Sequence, residues 1–262
     1  MMNKCSFSPL IEVLQERSAA CRTPKFWLRD DDAVRPSRSL DRLLSLTAEY
    51  SVPLTLAVIP AHTDDALVQV LADTEHVSVA LHGWSHTNYA ARTEKKQELG
   101  KHRPVSECLD TLRLGRDKLS ELFGPRFLPV LVPPWNRISD EIVEQLSTLD
   151  ITCLSTFGDE RPSNERLGEQ PTSMVIQINS HIDIIDWKGS RGGRELTDLV
   201  EQMRVELLNN RPFLGVLSHH LVHDEAAWVF LEQLFALTAC NSLVDWVSIN
   251  DLMATQAISL SE

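Results

Sequence analysis

The sequence predicts an α/β protein, a single-domain, distorted (β/α) barrel of about seven or eight parallel strands. Three observations predict it. Apolar runs of strand length recur along the chain and are nearly continuous rather than alternating, as strands covered on both faces are. Segments with helical spacing lie between many of them, which is the βαβ pattern of a parallel sheet. About eight such runs fit in 262 residues, enough to close a barrel, with an open doubly wound sheet as the alternative.

The expected strands are, in order, 26–29 (FWLR), 53–59 (PLTLAVI), 77–81 (VSVAL), 127–132 (FLPVLV), 151–156 (ITCLST), 173–179 (SMVIQIN), 213–218 (FLGVLS) and 244–249 (VDWVSI). Helix faces are read from Leu40, Leu43, Leu44 and Thr47, from Val105, Leu109, Leu112, Leu119 and Leu122, and from Ile138, Ile142, Leu146 and Leu149. Two more come from Leu196, Leu199, Val200, Met203 and Leu207, and from Trp228, Leu231, Leu234 and Phe235, the last with Asp224 as N-cap. Residues 1–22 read as an N-terminal helical extension and 23–262 as the barrel domain. The polar stretches 87–104 and 157–172 are long for a compact domain and predict lids or binding loops.

The apolar fraction of 43% is enough to build a real core. A net charge of -12 and a pI near 5.2 argue against a nucleic-acid or anionic-membrane partner, since either needs excess Lys and Arg. The five cysteines are scattered without a CxxC, so they read as reduced thiols. Glu12, Gln15 and Glu16 interrupt the N-terminal apolar residues and no run is long enough to cross a bilayer, so the expected location is cytoplasmic.

In a (β/α) barrel, catalytic groups stand where strands end. Asp30-Asp31-Asp32 follow the first strand and His82-Gly83-Trp84-Ser85-His86 the third. Pro133-Pro134-Trp135-Asn136-Arg137 follow 127–132, His181 to Trp187 follow 173–179, and His219 to Asp224 follow 213–218. Five strands thus deliver His, Asp, Trp or Pro clusters to one rim.

His82 and His86 would lie about 13 Å apart in an extended strand, too far to share an ion. On one helical turn both can reach one metal, and Gly83 lets the chain turn there; otherwise they are two surface or core histidines. Three adjacent carboxylates repel one another unless a cation or water screens them. One could complete a His-His-Asp metal site while its neighbour serves as general base; a solvated acidic loop is the plainer reading. One of His219 and His220 could supply a general acid, oriented by Asp183 or Asp186. Trp135 and Trp187 could wall a sugar site or simply pack. Lys188 to Arg194, basic and glycine-rich, reads as an exposed loop or an anion holder.

Taken together these residues resemble the motif series of the polysaccharide deacetylase family (carbohydrate esterase family 4). Asp31-Asp32-Ala33 is similar to its first motif, and His82 to His86, with Ser85 before the last histidine, to its second. Val132-Pro133-Pro134-Trp135 matches the third in part, Asp183-Ile184-Ile185-Asp186-Trp187 the fourth throughout, and Leu217-Ser218-His219 the fifth. The resemblance implies a distorted (β/α) barrel and a metal-dependent hydrolase that removes an acetyl group from an N- or O-acetylated sugar or related amide. It implies Asp32, His82 and His86 as ligands of a divalent ion, zinc being expected. It also implies Asp31 as the base acting on water, His219 as the acid, Asp186 as a catalytic partner, and Pro134, Trp135 and Trp187 as substrate contacts. The expected substrate is an acetylated amino sugar or small glycan.

Two departures stand out. Val132 occupies the place of the family arginine that holds the catalytic aspartate, so Arg29 or Arg137 is expected to replace it. His220 follows His219 where the family usually continues with Asp. Another C–N hydrolase on the same fold, such as a deformylase or cyclic amide hydrolase, and a non-catalytic sugar-binding module are the alternative functions.

Overall fold

The computed structural model describes residues 7–160, 175–209, 211–239 and 243–259. The 161–172 part of the expected 157–172 loop, the start of the expected strand 173–179, and Cys5 and Cys240 lie outside these residues. The chain divides into two compact units: Met1–Asp31 with Ser37–Leu54 and Ser180–Ser248, and Asp32–Pro36 with Thr55–Asn179 and Ile249–Glu262.

In the first unit, β8 (Phe213–Ser218) lies between β7 (Ile182–Asp183) and β1 (Lys25–Ala33), with all three parallel. All six residues of β8 are buried, which is why its sequence is continuously apolar rather than alternating. A two-residue β9 (Asp245–Trp246) pairs with the start of β1. Trp246 meets Phe26 and Phe235 edge-on, at centroid distances of 5.5 and 5.2 Å. Around these strands lie α1 (Ser8–Ala19), α2 (Arg38–Glu49), α6 (Leu196–Leu208) and α7 (Glu225–Thr238). The α1 segment packs on α6 through buried Leu10, Val13 and Leu14, and Arg17 donates to the Leu207 carbonyl at 2.7 Å. Ser37 caps α2, and Asp224 caps α7 by accepting from the Ala227 amide, as its sequence position predicts.

In the second unit the strands run in the order β6 (Ile176–Gln177), β5 (Cys153–Leu154), β4 (Phe127–Leu131), β3 (Val77–Leu81), β2 (Leu54–Val58). The long α4 (Val105–Phe123) buries Cys108, Leu109, Leu112, Leu119 and Phe123; Leu109, Leu112 and Leu119 belong to the face its spacing predicts, while Val105 and Leu122 of that face are half-buried. Short α3 (Asp65–Leu71) and C-terminal α8 (Ile249–Ser259) complete the unit. Strand–helix alternation with parallel pairing is the (β/α) class expected from sequence. No helix among the described residues is long and apolar enough to cross a membrane.

Three elements differ from the sequence reading. The first strand does not stop at Arg29 but runs through all three aspartates to Ala33. The single helix expected over 138–149 is instead α5 (Asp140–Val143) followed by a 3-10 turn, Leu146–Leu149. Ile138 pairs with Leu99 and the Ser139 amide donates to the Leu99 carbonyl at 2.9 Å, so tertiary pairing keeps that stretch extended. β7 was expected as loop. Its two residues become strand only by pairing with Val216 and Leu217, a contact that local pattern does not carry.

Candidate metal and catalytic site

β1 is where the site begins. Side chains alternate along a strand, so Arg29 and Asp31 share one side and Asp30 takes the other. Arg29 and Asp31 form a buried, two-point ion pair: Nε lies 2.9 Å from Oδ1, and Nη2 donates to Oδ2 at 3.1 Å. Of the two arginines expected to replace the one absent at Val132, Arg29 therefore holds Asp31. Arg137 instead donates to the Lys96 carbonyl at 2.8 Å. On the other side Asp30 accepts from the Ser218 hydroxyl at 2.6 Å and the His220 amide at 2.8 Å, and bonds His220 Nδ1. Burial pushes the Asp30 carboxyl up, but His220 and Ser218 outweigh it and hold the carboxyl below its ordinary value.

Asp32 breaks the alternation. Its φ of 70° is left-handed, a conformation uncommon for a non-glycine residue, and it directs the carboxylate toward the loop after β3. Asp32 Oδ1 lies 3.1 Å from His82 Nε2 and 3.3 Å from His86 Nε2. The three atoms are within 4.8 Å of one another, and they are the one His/Cys/Asp/Glu cluster with metal-ligand spacing among the described residues.

The histidines do not share a helical turn. Gly83 (φ 60°) and His86 (φ 56°) bend the chain into an irregular loop that brings the rings to 5.2 Å between centroids. Glu98 holds that loop. It is 1% exposed and accepts from the Trp84 and Ser85 amides at 3.0 Å each and from the His86 amide at 2.8 Å. No motif marks Glu98: in sequence it is one more charge in a polar stretch. Gly83 is required here, since a Cβ would come within 2.6 Å of Pro134 Cγ and 2.7 Å of Glu98 Oε2.

The loop after β4 supplies the opposite wall. The Val132 carbonyl accepts from His82 Nδ1 at 2.9 Å. A carbonyl has no proton to give, so Nδ1 carries the hydrogen and Nε2 presents its lone pair to Asp32. Val132 thus serves the site through its backbone, which its side-chain identity does not reveal. Trp135 is left-handed (φ 54°), and its ring is 4.2 Å from that of His86. Asp32, His86 and Trp135 all adopt this costly conformation, each on the order of 1–3 kcal/mol, and such strain concentrates at functional sites.

This donor set fits a divalent metal. Two ligand atoms each about 2.0–2.2 Å from a tetrahedral ion stand roughly 3.3–3.5 Å apart, close to the separations seen. Read as plain hydrogen bonds, both contacts on one Asp32 oxygen would require a hydrogen on each Nε2. His82, only 2% exposed, would then carry protons on both nitrogens. A cation accounts for the three facing lone pairs without that cost.

In the first unit, His219 follows β8, with Nε2 3.9 Å from Asp31 Oδ2. Trp187, 41% exposed, meets the His219 ring edge-on at 4.7 Å, and its indole N–H donates to Asp183 at 2.8 Å. Burial pushes the Asp183 carboxyl up, opposed by the charge of His219 and the Ile185 amide and Trp187 hydrogen bonds, while Asp31 adds to the rise. Trp187 thus links Asp183 to the His219 ring. Asp186, expected in the catalytic set, is engaged elsewhere: it closes an exposed turn by accepting from the Gly189 and Ser190 amides at 3.0 Å each. Those amide bonds hold its carboxyl below the ordinary range. A carboxylate in a turn finds nearer donors in the amides that follow it.

Comparison with known proteins follows this geometry. Residues 23–154 match the family model described as polysaccharide deacetylase. Among solved structures, a putative polysaccharide deacetylase from Mycobacterium smegmatis is similar at TM-score 0.60 and 16% identity, over 89% of this chain and 90% of that one. A carbohydrate esterase family 4 esterase from Streptococcus mutans is similar at TM-score 0.55 and 14% identity, over 86% and 84%. A peptidoglycan deacetylase from Bacillus subtilis, as a mutant, is similar at TM-score 0.53 and 17% identity, over 91% and 95%. At these identities the likeness carries the fold, which is the distorted (β/α) barrel of those esterases. Among curated protein sequences none matches the chain. The family model covers half of the chain, and on that match the chain belongs to the polysaccharide deacetylase family.

Proposed function

We propose that the protein is a metal-dependent deacetylase that removes an acetyl group from an N- or O-acetylated amino sugar or small glycan. The observation that carries this reading is the convergence of His82 and His86 Nε2 on one oxygen of Asp32, at 3.1 and 3.3 Å. Asp32, His82 and His86 would hold the ion, and two nitrogens with one carboxylate oxygen favour zinc. When bound, the ion supplies a Lewis acid for the acyl carbonyl and the attacking water.

The chain's own residues supply the rest. Asp31 follows Arg29 on the same side of β1, and the two-point contact with the guanidinium orients its carboxylate to take a proton from water. The peptide bond joining Asp31 to Asp32 makes base and ligand neighbours by covalent connection alone. His219 donates a proton to the departing nitrogen or oxygen, with Trp187 meeting its ring edge-on and Asp183 holding the Trp187 indole N–H. Trp135 over His86 and the exposed face of Trp187 offer flat apolar surface to a sugar ring. A cytoplasmic setting is part of the proposal, supported by five cysteines scattered along the sequence without a CxxC.

The test is metal analysis of the purified protein together with a panel of N-acetyl, O-acetyl, N-formyl and cyclic amide compounds. One equivalent of divalent metal and chelator-sensitive release of acetate are expected. Turnover confined to formyl or cyclic amides would move the reading to another C–N hydrolase. Sugar binding without metal or turnover would make the chain a binding module.

A further inference from the structure

Directly behind the proposed base and acid lies a second acid–imidazole pair. Asp30 precedes Asp31 on β1, and His220 follows His219 after β8. Strand alternation turns Asp30 away from the side that Asp31 uses. Asp30 is the backbone register partner of Ser218. Its carboxylate takes the Ser218 hydroxyl, the His220 amide and His220 Nδ1, and both side chains are wholly buried. A buried ion pair is a poor source of stability, since apolar residues of equal volume often do as well or better. What this pair adds to the β1–β8 ladder is a side-chain tie at its end, between the two backbone segments that carry Asp31 and His219. The closest polar approach of those two side chains is 3.9 Å, between His219 Nε2 and Asp31 Oδ2.

We propose that Asp30 and His220 are positioning residues: by locking the end of β8 to β1 they set the separation between the base Asp31 and the acid His219. This rests on the reading of Asp31 and His219 given above. Neither Asp30 nor His220 touches the reacting groups.

Three variants test it. His220→Leu removes the donor to Asp30. His220→Asn keeps an N–H where Nδ1 stands. Ser218→Ala removes one of the three donors. His220→Leu is expected to lower kcat on an acetylated amine about tenfold to a hundredfold, the scale of a small misplacement of catalytic groups. KM and metal content should be unchanged, and the loss should be smaller on an activated aryl acetate, whose leaving group needs no proton. His220→Asn should restore most of kcat. A crystal structure of His220→Leu should show His219 and Asp31 moved apart, with Asp32, His82 and His86 in place. Equal kcat losses in the Asn and Leu variants, a rise in KM alone, or an unmoved His219–Asp31 pair would overturn the proposal. Should His220→Leu fail to fold, an unchanged kcat in Ser218→Ala overturns it equally. A wild-type enzyme inactive on every substrate would end the deacetylase reading, while the crystallographic displacement still decides the positioning role.

Discussion

Arg29 Nε lies 2.9 Å from Asp31 Oδ1, two residues along one strand and out of contact with bulk solvent. The arginine expected in place of the one absent at Val132 is thus supplied by the same strand, so the proposed base and its charge partner are fixed by a single segment of backbone. Removing one partner of a buried pair costs about 3–5 kcal/mol. Arg29→Met is therefore expected to lower both stability and kcat, measured by urea unfolding and acetate release, with Arg29→Lys intermediate because it cannot bind side-on at two points. Wild-type kcat in Arg29→Met would show that Asp31 needs no charge partner.

The ligand set makes a separate claim. His82→Ala, His86→Ala and Asp32→Asn should each lose the stoichiometric divalent ion with the circular dichroism spectrum retained, whereas Asp31→Asn should keep the ion and lose most of the rate. Metal retained in Asp32→Asn and lost in Asp31→Asn would shift the ligand register by one aspartate.

Glu98 braces the loop that carries the proposed ligands His82 and His86 without being one of them. Three consecutive amides, Trp84, Ser85 and His86, donate to its carboxylate. Glu98→Ala strips the loop of that acceptor and is expected to weaken metal affinity about 10–100-fold, as changes to groups that orient ligands do. Glu98→Gln keeps one good acceptor and should fall between. Competition with a chromophoric chelator reads the affinity directly, and equal affinity in all three proteins would leave Glu98 a purely structural role.

His219→Ala should cut kcat about 10²–10⁴-fold on an amide and much less on an activated aryl ester, with metal content unchanged. Equal losses on both substrates would point to a structural role for the ring.

His223 predicts a pH dependence of stability. Its ring is buried edge-on against Trp228 at 4.4 Å, and burial, the largest influence, pushes the imidazole down from 6.5 to about 4. The unfolded chain therefore binds the extra proton first, so stability is held above pH 6.5 and lost as pH falls toward 4. The full loss from this group is about 3 kcal/mol. Urea unfolding of His223→Gln from pH 7 to 4 should show a shallower decline than wild type; parallel curves would contradict the assignment.

By itself the sequence determined the class of fold and the order of the motif-bearing strand ends. These follow from local periodicity and from residue types at fixed spacing. The candidate ligands Asp32, His82 and His86 came from the resemblance of those motifs to a family, and Arg29 and Arg137 stood as equal partners for Asp31 until the strand was seen to run on through the aspartates.

Tertiary structure decided what backbone direction and distant pairing control. The turn at Asp32 that detaches its carboxylate from the strand's alternation depends on a left-handed φ that no residue type announces. His82 and His86 meet through a loop braced by Glu98 rather than along a helix, because a buried carboxylate could satisfy three amides that a strand end leaves open. Asp183 rather than Asp186 holds the Trp187 ring that meets His219, because pairing with Leu217 draws Asp183 into β7 beside β8, while Asp186 found its donors in its own turn. Both aspartates carry the same chemistry in the same motif, and only the long-range pairing of one of them separates their roles.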